Sequence, residues 1–159
     1  MDEKALRKYL AEVLTWGEAH ADWKAALADF PAKLRGEKPA GAPHTAWELL
    51  EHCRIAQWDI IEFSRDAKHV SPDFPAGYWP KRPAPPSAAA WEKSVKEFET
   101  GSHEMAELAL DPKIDLTARI PHGSGQNMVR QILLLADHNS YHLGQLVLLR
   151  RLLGAWKKE

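Results

Sequence analysis

A chain of 159 residues with 45% hydrophobic and 27% charged side chains has the size and composition of one globular domain, which excludes disordered and collagen-like classes. Its 21 basic residues nearly balance 22 acidic ones, so the net charge of -1 supplies no field that would draw it to nucleic acid or to anionic lipid. The single cysteine, Cys53, excludes an internal disulfide and any centre built from several thiolates.

The N-terminal stretch MDEKALRKYLAEVL breaks its apolar positions with charges and lacks the apolar core of a signal peptide. No segment approaches the ~20 apolar residues needed to span a bilayer. A cytoplasmic protein with one domain over residues 1–159 is the expectation. Helix one is predicted from Asp2 to Phe30, because Leu6, Tyr9, Leu10, Val13, Leu14, Trp16 and Trp23 recur broadly at helical spacing before Pro31. Residues 31–44, with Pro39, Gly41 and Pro43, read as a loop. Thr45-Ala-Trp-Glu48 then forms a capping-box signature for helix two, which continues to Phe63.

Residues 67–86 contain the proline-dense VSPDFPAGYWPKRPAPP, which cannot sustain a helix. At ~3.3 Å per extended residue this connector is long enough to cross a twenty-residue helix, and so permits helices two and three to run parallel. Ser87 is the predicted N-cap of helix three, extending to Leu110, with Gly101 weakening its middle. A connector over 111–126 ends in PHGSGQ. Asn127 or Ser124 then caps helix four, which runs to Leu153 and stops at Gly154. Four amphipathic helices without a strand pattern predict an all-α four-helix bundle.

Helix four carries His138 and His142, four residues apart and therefore on one face, one turn from each other. That face continues through Gln131, Leu134, Leu135, Gln145 and Leu149, so both imidazoles are expected to point inward. Buried imidazoles need partners, which a shared metal ion or hydrogen bonds can supply. His52, on the apolar stripe of helix two, is the candidate third ligand from a facing helix. Three protein ligands leave coordination positions open, as in catalytic metal sites.

Cys53 is turned about 100° from His52 and reads as a buried, inert thiol. Glu48 is assigned to its cap. Asp59 either orients a ligand or lies solvated beside an arginine. Gln145 is poised to bond a ligand or the helix backbone, and Tyr141 stands beside the pair as a proton donor or as apolar surface. Tyr78 and Trp79, in the long connector, are candidates to cover the mouth of the site. His20, His44, His69, His103 and His122 show no mutual spacing and are taken as exposed.

The strings TAWELLEHCRIAQWD (45–59) and DHNSYHLGQLVLLRRLLGAW (137–156), together with the proline-rich connector and the Trp91 that follows it, resemble the DinB-like superfamily, which includes the YfiT-type proteins. The resemblance spans most of the chain. It implies a four-helix bundle, commonly a homodimer, and one divalent ion, often nickel or zinc, held by His52, His138 and His142. It does not fix a reaction. Among the activities it implies, a thiol-dependent S-transferase using a low-molecular-weight thiol and a small-molecule substrate is preferred. A metal-dependent hydrolase and a non-catalytic metal-binding stress-response dimer are the alternatives.

Overall fold

A computed structural model describes residues 2–156 and is all-α, with five α-helices and, among the described residues, no β-strand beyond an isolated antiparallel bridge between Arg119 and Asn127. Helix α1 spans Glu3–Glu12, α2 Trp23–Leu27, α3 Ala46–Arg65, α4 Ala88–Leu110 and α5 Met128–Leu152. No helix among the described residues is long and apolar enough to cross a membrane.

The single N-terminal helix expected over residues 2–30 is divided. The chain leaves α1 at Val13, passes Gly17, and restarts where the Asp22 side chain accepts the Ala25 N–H at 2.6 Å. Glycine is a poor helix former and Asp22 offers a ready N-cap, so the local signals favour a break that apolar spacing alone conceals. α2 ends within two turns, and Arg150 explains how so short a helix is held. Its buried guanidinium donates to the carbonyls of Ala25, Ala26 and Ala28 at 3.1, 2.7 and 2.7 Å, satisfying groups that a helix terminus leaves free. Arg7 does the same at the end of α4, donating to the carbonyls of Ala109 and Asp111 at 3.0 and 2.8 Å.

The three long helices begin where their caps predict. Thr45 and Glu48 close a reciprocal capping box on α3, at 2.8 and 3.1 Å. Ser87 caps α4 and Asn127, rather than Ser124, caps α5. α5 stops at Gly154, whose φ of +68° suits glycine. The Ala155 and Gly154 amides turn back to the Arg150 and Arg151 carbonyls at 2.9 and 3.0 Å.

Ion pairs fix the helix directions. Arg54 meets Glu97 and Arg65 meets Glu104, so residue numbers rise together along α3 and α4 and the two helices are parallel. Against α5 the order reverses, with His52 beside His138 and Ile61 in the cluster of Ile132 and Met128. The 66–87 connector makes the parallel pair possible by running back along α3. His69 and Tyr78 bond Asp59, the Tyr78 carbonyl reaches His52, and the Pro83 carbonyl accepts from Thr45 Oγ1 at 2.6 Å.

The core divides into two apolar clusters. One gathers Trp47, Leu50, Cys53, Trp91, Phe98 and Leu146, and the other gathers Leu10, Ile61, Met105, Ile132 and Leu135. Between them lies a buried polar layer of Gln57, Ser102 and Asn139, one residue from each long helix. Gln57 Nε2 donates to the Phe98 carbonyl at 2.6 Å, and Gln57 Oε1 accepts from Ser102 and Asn139 at 3.0 and 3.2 Å. Gly101 belongs to this layer, since a Cβ there would lie 2.4 Å from Gln57 Nε2. The glycine that weakens the helix sequence is the space the Gln57 carboxamide fills.

Candidate metal centre

His52 from α3 and His138 and His142 from α5 meet on the seam between the two helices, with one ring nitrogen of each inside a group no wider than 4.8 Å. The capping box sets where α3 begins and so which turn presents His52. The i, i+4 spacing on α5 sets the other two rings edge-on, with centroids 4.6 Å apart. His142 is buried at 7% exposure, while His52 and His138 are half-buried, so the cluster reaches solvent from one side.

The hydrogen bonds select the ring nitrogens. His52 Nδ1 lies 2.9 Å from the Tyr78 carbonyl, which can only accept, so Nδ1 carries the proton. His142 Nδ1 faces Gln145 Oε1 at 3.1 Å and His138 Nδ1 faces Asn139 Oδ1 at 3.4 Å. Each Nδ1 therefore has an oxygen partner, which leaves the Nε2 atoms as the candidate ligands. His52 Nε2 and His138 Nε2 stand 3.0 Å apart. Two imidazole nitrogens at that separation are bridged either by a proton, in an N–H···N hydrogen bond, or by a metal ion. Ligands at ~2.0–2.1 Å from one ion lie roughly 2.9–3.4 Å from each other for angles between octahedral and tetrahedral. The His52–His138 pair fits a divalent ion in distance, and the three imidazoles fit it in chemistry.

Electrostatics agree. Burial lowers all three imidazoles, and the neighbouring histidines lower His142 further, to about 4. Neutral rings with free lone pairs are the form a metal takes. No carboxylate joins the group among the described residues. Glu48 is engaged in its cap, and Asp59 accepts from Tyr78 Oη at 2.7 Å and lies 2.7 Å from His69 Nε2 rather than beside an arginine. Burial, followed by the Asp59 hydrogen bond and charge, pushes the Tyr78 phenol up to about 12, which keeps it a donor.

The connector covers one side of the cluster. Trp79 lies flat on His52, with ring centroids 3.9 Å apart and planes 4° from parallel, and its other face stacks on His44 at 4.0 Å. Two of the histidines taken as exposed are thus placed otherwise. His44 is half-buried against Trp79, and the His69 side chain is 8% exposed against Asp59. Neither lies on a periodic stripe, so only the tertiary course of the connector reveals them. His20, His103 and His122 are exposed, although His122 Nε2 still reaches the Phe63 carbonyl. Tyr141 is 65% exposed with its ring edge-on to His142. Cys53 faces away into the apolar core, fully buried, and burial pushes its thiol well up, which makes it inert.

No curated protein and no solved structure matches the chain. A family model does, over residues 15–146, a stretch that holds all three histidines. The chain belongs to the DinB superfamily.

Proposed function

We propose that the protein binds one divalent ion, nickel or zinc, through Nε2 of His52, His138 and His142, and uses it for thiol-dependent S-transfer onto a small electrophilic substrate. The observation that carries this reading is the convergence of three neutral imidazoles whose Nδ1 atoms are all occupied elsewhere. A divalent ion in this place supplies Lewis acidity that favours the thiolate form of a thiol near neutral pH. Three neutral ligands leave its double charge uncancelled, which favours an anionic partner such as a thiolate. The protein's own groups hold the imidazoles in one tautomer, and Trp79 shields the His52 face from water. Thiol chemistry is favoured over hydrolysis because both oxygens of Asp59 are engaged, Glu48 is held in its cap, and among the described residues no carboxylate joins the three histidines to take a proton from water.

We further propose a homodimer formed through α5. Leu134, Tyr141, Leu148 and Leu152 recur at intervals of about two turns or one, lie on a single stripe and are 38–65% exposed. Tyr141 brings that stripe beside His142.

The test is elemental analysis of the untagged protein beside His52→Ala and His142→Ala, followed by assay of the metal-loaded parent with thiols and electrophiles. Near-stoichiometric metal in the parent, lost from both variants, is the expected result. Parent protein that takes up neither nickel nor zinc would overturn the metal centre. Loaded protein that turns over esters or amides but no thiol would overturn the S-transfer reading alone.

A further inference from the structure

Asp59 is 9% exposed on α3, almost two turns beyond His52, and is not a member of the histidine cluster. One oxygen lies 2.7 Å from His69 Nε2 and the other accepts from Tyr78 Oη at 2.7 Å. Both partners belong to the connector, one from each side of its proline-rich bend. From Tyr78 the chain of contacts continues into the cluster. Its backbone carbonyl takes the His52 Nδ1 proton at 2.9 Å, and the next residue, Trp79, lies against the same imidazole. A carboxylate holding two connector side chains therefore determines where a carbonyl and an indole meet His52.

We infer that Asp59 is a positioning residue for the three-histidine centre, acting through Tyr78 to fix the tautomer and ring plane of His52. The inference rests on the metal-binding reading above. Groups that bond the far nitrogen of a ligating histidine commonly change metal affinity about 10- to 100-fold when removed, without touching the ion. Here the effect passes through one further bond. Loss of the tether leaves His52 attached to α3 but lets the carbonyl and indole drift, so its Nδ1 proton loses its fixed acceptor and the ring exchanges between tautomers. His52 Nε2 then presents its lone pair only part of the time.

The experiment compares the full chain with Asp59→Asn, Tyr78→Phe and the double variant, using zinc alone as the probe. Two quantities are read: the tautomer of His52 by nitrogen-15 NMR of metal-free protein, and the rate at which a chelator withdraws bound zinc. The parent is expected to show a single Nδ1–H tautomer. Each single variant should show mixed tautomers and release zinc about tenfold faster, and the double variant should add little, because one path is cut twice. Leu10→Ala, which opens a cavity where α1 packs in the apolar cluster remote from the histidines, supplies a destabilised control that should leave both readouts unmoved. An unchanged His52 tautomer and zinc release in Tyr78→Phe would overturn the inference, as would an equal response in Leu10→Ala. Parent protein that binds no zinc would overturn the metal centre itself, a separate result because the tautomer is read without metal.

Discussion

Neutral histidines in a bundle interior leave a mark on stability as well as on metal binding. Burial and its histidine neighbours hold His142 at about 4, whereas unfolding returns it to its ordinary value of 6.5. Between those values the unfolded chain binds a proton that the folded chain refuses, so metal-free stability rises as pH rises from about 4 to about 6.5 and this contribution levels off above. His52 and His138, lowered in the same direction, act with the same sign. Urea midpoints at several pH values across that window should show the slope, and His142→Leu should flatten part of it. Gly101 carries a second residue-scale prediction. Replacing an interior helical glycine with alanine ordinarily stabilises by up to ~1 kcal/mol. In this helix the new methyl would stand 2.4 Å from Gln57 Nε2, in a side chain only 1% exposed and bonded on both ends. Gly101→Ala is therefore expected to destabilise by about 1–3 kcal/mol, read from the same urea titration.

Individual elements were legible to differing degrees, for reasons that lie in what each signal depends on. The starts of α3, α4 and α5 follow from Thr45, Ser87 and Asn127 because a cap is a local bond, made within three residues. The break after α1 was hidden, because apolar spacing continues across Gly17 while the terminus of α2 is satisfied by Arg150, more than a hundred residues away. His52, His138 and His142 could be grouped from spacing, since two share a turn and the third sits on an apolar stripe. His69, His44 and the Tyr78 carbonyl could not, because they lie in irregular segments, two in the connector and His44 in the loop before α3, whose paths no period encodes. The cap of α3 also shows how local and distant bonds combine. Thr45 Oγ1 accepts the Glu48 N–H and donates to the Pro83 carbonyl at the far end of that connector, in a position 1% exposed. Thr45→Ala should cost about 1–2 kcal/mol, toward the upper end for a cap, and thermal unfolding would measure it.

The bundle as a whole places its long connector, its histidine cluster and the exposed stripe of α5 close together, so a dimer formed through that stripe, as proposed, would meet the cluster at Tyr141 and His142. Leu148→Lys combined with Leu152→Glu should shift the protein from dimer to monomer in sedimentation velocity while leaving the fold intact. An unchanged dimer would place the interface elsewhere. The buried polar layer of Gln57, Ser102 and Asn139 has a consequence for register. Two histidines one turn apart make α5 nearly self-similar under a slip of ~5.4 Å, since one imidazole would move into the place of the other. An apolar seam would resist that slip weakly, as leucines follow leucines along α5. Such a slip would carry Leu135 or Leu143 into the place of Asn139 and deprive the Gln57 carbonyl of one of its two donors, at a cost of roughly 1–3 kcal/mol. The layer acts as an index mark between two sliding rods, and it gives each of two repeated histidines a defined place.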